Sequence, residues 1–136
     1  MSPSDRAICV DPKLVHIVWP EVSHWIKLAL ERGDLGLFSE VVDDVLAGRS
    51  LLWLAWNRPR IVGAAVTQIY RTEKSKVCLI VACGGVGITD WLIGIRQIEE
   101  YAKAEGCDVV RILGRKGWLR MLKDYSAPKI VLERRL

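Results

Sequence analysis

Residues 77–90 read Val77-Cys78-Leu79-Ile80-Val81-Ala82-Cys83-Gly84-Gly85-Val86-Gly87-Ile88-Thr89-Asp90. Val77 to Ala82 is an apolar run of strand length, after which Gly84, Gly85 and Gly87 open the chain. Thr89 or Asp90 can cap a helix whose buried stripe is Trp91, Ile95, Ile98 and Ala102. Gly106 stops that helix, and Val109 to Leu113 reads as the next strand. The crossover of about 25 residues between the two strands permits parallel pairing.

Upstream, Leu51 to Trp56 is an unbroken apolar run bounded by Arg49-Ser50 and Asn57-Arg58-Pro59-Arg60, which predicts a strand buried on both faces. Ile61 to Tyr70 is a second strand, Arg71 to Lys76 a polar turn, and Val77 to Ala82 the third. Connections this short make the three an antiparallel meander. Trp53 and Trp56, three apart on one strand, face opposite sides and belong to the core. Before the meander, His16 to Arg32 repeats Val18, Val22, Trp25 and Ala29 as a helical stripe broken by Gly33 and Gly36. A shorter helix carries Phe38, Val41, Val42, Val45 and Leu46 and ends at Gly48, and Ala7 to Val10 is a first strand. Downstream, Trp118 to Tyr125 reads as a short helix, and Pro128 precedes a last strand, Lys129 to Glu133. The order β-α-α-β-β-β-α-β-α-β predicts an α+β (mixed α/β) fold. One central, mostly antiparallel sheet is flanked by helices, and residues 1–136 form a single domain.

Composition narrows the class. Hydrophobic residues make up 51% and charged residues 26%, which excludes disorder and fibrous structure. No apolar run approaches the roughly 20 residues that span a bilayer. Met1-Ser2-Pro3-Ser4-Asp5-Arg6 has no basic region followed by an apolar stretch, so the expected compartment is the cytoplasm. The net charge of +4 is uneven: residues 107–136 carry 8 Lys/Arg against 3 Asp/Glu, while residues 1–106 carry 12 against 13. That basic stretch could meet an anionic cofactor, a membrane or nucleic acid. Its charges alternate with Val, Ile, Leu and Trp as on folded elements, so nucleic acid ranks last and a solvated basic surface is the plain reading. Cys9, Cys78, Cys83 and Cys107 include no CxxC pair, and His16 and His24 are the only histidines, so no metal is expected. Cys78 and Cys107 lie in apolar runs as buried reduced thiols. Six tryptophans fit either a core or an apolar surface shared in a homo-oligomer.

The chemistry-bearing candidate is the turn from Val81 to Asp90. Its glycines allow close approach of a ligand to the backbone, and the helix start behind them offers free N–H groups suited to a pyrophosphate. No Gly-Lys-Ser/Thr follows, so it is no Walker loop, and Asp90 stands where GxGxxG needs its third glycine. No triad spacing supports a Ser or Cys nucleophile.

Taken with the element order, "LLWLAWNRPRIVGAAVTQ" (51–68), the Gly84–Gly87 loop, "AKAEGCDVVRI" (102–112) and "RKGWLRMLKDYSAPKIVLERRL" (115–136) resemble the GNAT superfamily of N-acetyltransferases. The resemblance runs from about Ala7 to Leu136. More narrowly, "LLWLAWNRPRIVGAAVT" and "GRKGWLRMLKDY" look like a divergent branch among phage and prophage proteins. The resemblance implies that acetyl-CoA, or a related acyl-CoA, is held by Val81, Ala82, Gly84, Gly85, Val86, Gly87 and Thr89, with transfer of the acyl group to an unidentified amine. The family loop reads Gln/Arg-x-x-Gly-x-Gly/Ala. Gly85 and Gly87 fill its glycine places, but Ala82 takes the first position. The family's catalytic tyrosine lies about five residues before a helix-ending aromatic. With Tyr125 as that aromatic, Arg120 stands in the tyrosine's place and cannot act as a general acid near neutral pH. No residue is assigned as catalytic: Gln68, Tyr70 and Glu73 lie near the region where the family places a base, but Gln68 cannot titrate and Glu73 falls in a turn. His16 and His24 read as surface or half-buried helix residues. The alternative is a GNAT-like fold that has lost catalysis and serves as a phage-associated interaction or structural protein.

Overall fold

The computed structural model describes residues 7–57, 59–86, 88–114 and 116–136, and for residues 88–91 and 116 it is the backbone that is described. The first helix, α1, spans Val15–Gly33 and follows a 3-10 turn at Pro12–Leu14, where the Asp11 carboxylate accepts the Lys13 N–H at 2.9 Å. Its fully buried row is Val15, Trp19, Val22, Ile26 and Leu30, while Val18, Trp25 and Ala29 form a half-buried row beside it. Burying each large side chain of that row is worth about 1.5–3 kcal/mol relative to exposure. The helix ends on Asp34, whose φ of 51° is left-handed and whose N–H returns to the Leu30 carbonyl at 2.8 Å. The C-cap therefore falls on an aspartate, with Gly33 the last helical residue. Helix α2 covers Phe38–Leu46, with Val41 and Val45 buried.

The sheet follows in sequence order: β1 (Ala7–Cys9), β2 (Leu51–Asn57), β3 (Arg60–Arg71), β4 (Lys76–Gly85) and β5 (Val109–Ile112). The first four are antiparallel neighbours, and β5 joins β4 in parallel after the crossover helix α3 (Ile88–Ala104). The meander, the crossover and the parallel pair are those the sequence predicts. Both faces of the sheet are covered. On the α1–α2 side Leu52, Leu54, Ala64, Val66 and Ala82 join the buried row of α1. On the α3 side Trp53, Ala65, Cys78, Ile80 and Cys83 meet Ile95, Ile98 and Ala102. Trp53 and Trp56 do lie on opposite faces. Buried Thr67 accepts the Trp53 indole N–H at 2.9 Å, so neither polar group is left unpaired.

Two expected elements differ. Where an eight-residue helix was predicted, the chain makes a 3-10 turn at Lys116–Arg120 and then irregular turns, with Leu122 N–H to Trp118 O at 2.9 Å and Tyr125 N–H to Leu122 O at 3.0 Å. So short a segment, flanked by Gly117 and Pro128, cannot repay helix nucleation. Its apolar residues nonetheless pack as a helix stripe would: Leu122 is buried and Trp118 and Tyr125 lie against the α3-side core. Lys129 to Glu133 is not a strand; residues 126–136 are exposed and make no ladder. A strand needs a partner, and residues 129–133 pair with none of the described residues.

Candidate functional site

The site grows from a mismatch in length between β4 and its two neighbours. The parallel register with β5 runs from Val77 opposite Val109 to Ile80 opposite Ile112 and closes on a long Leu113 N–H to Ile80 O contact of 3.5 Å. On the other side β4 continues along β3 to Gly85 opposite Gly63. From Val81 to Gly85 one edge of β4 is therefore open.

A bulge marks the divide. Thr67 pairs with Ile80 and Val66 with Ala82, leaving Val81 as an extra residue. Val81 and Ala82 consequently both turn to the α1 side, while Ile80 and Cys83 turn to the α3 side. The Val86 N–H donates to the Val62 carbonyl at 2.7 Å, which sets the backbone alternation beyond the bulge. Ala82 and Gly84 direct their peptide groups at β3, and Cys83 and Gly85 direct theirs to the open edge.

Beside this edge lies a cleft of about 510 Å³. One wall is the last two turns of α1, including Trp25, Leu28 and Arg32; the opposite wall, beyond β5, includes Leu113, Gly114, Gly117, Trp118 and Met121. Ala82, Cys83, Gly84 and Gly85 form its floor. The sequence points to the floor but not to the walls. Their signal is a second row on α1 (Trp25, Leu28, Ala29, Arg32) running beside the core row.

Of the residues the sequence singles out, Ala82, Gly84 and Gly85 line the cleft. Val81 is half-buried at the bulge, and Val86 is 60% exposed with its N–H taken up by β3. Thr89 lies in the first turn of α3. Gly87 lies outside the described residues. Two glycines of the turn have a packing reason to be glycine. A Cβ on Gly84 would stand 3.2 Å from the Trp25 carbonyl of α1, and one on Gly85 would stand 2.2 Å from the Val62 carbonyl.

Among the described lining residues, Arg32 and Cys83 are the titratable ones. Burial pushes the Cys83 thiol far above its ordinary range, so it carries its proton at neutral pH. The Tyr125 hydroxyl donates to Glu99 Oε2 at 2.6 Å, and burial together with that bond raises its pKa well beyond the usual phenol range. Tyr125 is outside the cleft lining and ties the chain to α3. Tyr70 accepts from Arg111 Nη1 at 2.8 Å, and with Gln68 it lies on the part of β3 that pairs with Val77 to Leu79, away from the open edge. Glu73, Arg120, His16 and His24 are all exposed. No cluster of three or more potential metal ligands occurs among the described residues, and no helix among them is long and apolar enough to cross a membrane.

No family model matches the sequence, and no curated protein matches it. Solved structures do. A probable acetyltransferase superposes with a TM-score of 0.68 at 9% identity, over 96% of this chain and 97% of its own. A candidate acetyltransferase from Pyrococcus furiosus gives 0.66 at 17% identity, over 96% of this chain and all (100%) of its own. A predicted acetyltransferase from Clostridium acetobutylicum, solved with acetyl-CoA, gives 0.61 at 11% identity, over 94% and 95%. At such identities the likeness is one of fold, and it spans nearly the whole chain: the architecture is that of GNAT-type acetyltransferases. The comparisons give no support to the narrower likeness to phage and prophage proteins.

Proposed function

We propose that this chain binds an acyl-CoA, acetyl-CoA first among them, in the cleft beside β4 and passes its acyl group to an amine. The observation that carries the reading is the open β4 edge between Val81 and Gly85, set next to the start of α3 in a fold shared with acetyltransferases. The residues present fit such a ligand. The peptide groups of Cys83 and Gly85, turned to the open edge and paired across it with none of the described residues, match the amides of a pantetheine arm, and the mainly apolar walls match its methylenes. The first N–H groups of α3, from Ile88 through Thr89, have no intrahelical acceptor and suit the phosphates. Arg32 on the cleft wall adds positive charge. When bound, the co-substrate supplies an activated thioester; the chain orients it against the incoming amine and shields it from water.

None of the described lining residues is a carboxylate or an imidazole, which fits an amine that arrives already neutral. The rate should then climb with pH toward the amine's own pKa. The same observation, with Arg120 in the tyrosine's place, favours a second reading: a protein that keeps the cleft but not the reaction, and acts by binding. Thermal unfolding with acetyl-CoA and with desulfo-CoA tests the shared premise. Both should raise the melting temperature, by about 2.7 kcal/mol of stabilisation at a hundredfold excess over Kd. An unmoved transition removes the acyl-CoA reading altogether. A shift without turnover over a panel of amines selects the binding reading.

A further inference from the structure

The α1 wall of the cleft is a single helical row: Trp25, Leu28, Ala29 and Arg32 follow the i, i+3, i+4, i+7 spacing beside the core row. Trp25 is half-buried, and the exposed His24 ring lies against it with centroids 4.7 Å apart, which holds the indole on the wall. Leu28 is 42% exposed. Arg32, about 10 Å beyond Trp25 along the axis, is exposed as well. Its side chain makes no ion pair or hydrogen bond with any described residue. Glu31 and Asp34 lie outside the lining, and no Asp or Glu is among the described residues that form it. The wall therefore offers an apolar shelf ending in one free positive charge.

We propose that this wall selects the amine, and that the amine carries an apolar body and one carboxylate, the chemistry of an aromatic or large aliphatic α-amino acid. That the molecule accepts an acyl group rests on the acyl-CoA reading above; that it binds on α1 does not. The apolar body lies against Trp25 and Leu28, and the carboxylate takes the planar N–H fork of Arg32. One guanidinium matches one singly charged anion. A polycationic amine is disfavoured, because it would bring several ammonium groups to a cation with no carboxylate among the described lining residues.

The placement of the wall leaves room for both reactants. Helix α1 covers one face of the sheet and α3 the other, so Arg32 and the first N–H groups of α3 stand on opposite sides of the β4 floor. One anionic group on each side keeps the carboxylate apart from the phosphates. The reacting ends meet between them, at the open edge of β4. There the neutral amine nitrogen attacks the thioester carbonyl carbon. A C–N bond forms, the C–S bond breaks, and the proton shed by nitrogen ends on the departing thiolate.

Calorimetric titration of the full chain compares L-phenylalanine with L-phenylalaninamide, which keeps the body and the amine but lacks the negative charge. The acid is expected to bind about tenfold more tightly. Arg32→Gln should bring the two dissociation constants together. Leu28→Glu, which sets a carboxylate at i, i+4 to Arg32, should do the same. Both positions are exposed, so the far-ultraviolet spectra should match that of the wild type. The proposal is overturned if the wild type binds the amide as well as the acid, if the preference survives Arg32→Gln, or if spermidine binds more tightly than either. The melting shift with acetyl-CoA, read on the same wild-type protein, separates the two readings. A shift without the acid preference removes this proposal and leaves the acyl-CoA reading standing. The preference without a shift keeps the carboxylate site on α1 and removes the acyl-CoA reading.

Discussion

β4 is two strands in one. From Lys76 to Ile80 it is sealed: β3 on one side, β5 on the other, and Val77, Cys78 and Ile80 with no exposed surface. From Val81 to Gly85 it keeps β3 but loses β5, and small residues replace large ones, with Ala82, Gly84 and Gly85 on the cleft floor. A single inserted residue, Val81, separates the halves. The first half holds the fold together through packed volume. The second is thin because neighbouring backbone comes close, Trp25 from α1 over Gly84 and Val62 from β3 beside Gly85. That thinness leaves room for a ligand against the main chain.

The sharpest break of this contrast is Ile80→Ala. Removing a fully buried side chain from the sealed half should cost about 2–5 kcal/mol and lower the melting temperature by roughly 10 °C. Leu113→Ala, just past β5 and 40% exposed, should cost far less. Any stabilisation by acetyl-CoA should survive Ile80→Ala. If the two truncations cost the same, the sealed half is not where the stability resides.

The converse change belongs to the open half. Gly117 lines the cleft, and a Cβ placed on it would meet nothing within 4 Å. Gly117→Glu should therefore leave unfolding of the free protein nearly unchanged, within about 0.5 kcal/mol. It also puts a carboxylate where an anionic ligand must pass, so the shift with acetyl-CoA should vanish. A full shift in this variant would place the ligand away from the cleft.

The sealed half was legible in the sequence; the open half only partly so. Val77 to Ala82 announces a buried strand by its unbroken apolar run, and the long crossover announces its parallel partner. The strand was expected to stop at Ala82, yet it continues to Gly85, because β3 supports residues whose composition alone reads as a turn. The cleft walls come from residues distant in the chain, such as Trp25 and Trp118, and no local pattern unites them. Trp118 to Tyr125 kept its buried contacts without keeping its helix: apolar spacing reports which residues turn inward, and the backbone solution is left to neighbours. The strand signal of 129–133 is real by composition, but pairing depends on an edge that sequence does not supply.

The smallest effect contrasts the halves through their thiols. Burial, aided by the charge of Cys107, raises the Cys78 pKa from 9.0 to about 11. A folded-state pKa above the unfolded one means that the native protein holds a proton the unfolded chain releases. The stabilisation is present in full below pH 9 and is lost as the pH rises toward about 11. Burial raises the Cys83 thiol too, and further, so wild-type stability should fall with pH by more than one group's worth. Cys78→Ala should remove part of that slope between pH 9 and 11 and none of it near neutrality. Comparing slopes cancels whatever constant stability the substitution costs. Denaturant unfolding at a series of pH values reads the difference. Equal slopes in the two proteins would mean that the sealed half of β4 admits hydroxide or water to Cys78. The contrast between a closed and an open half of the strand would then fail at one of its fully buried residues.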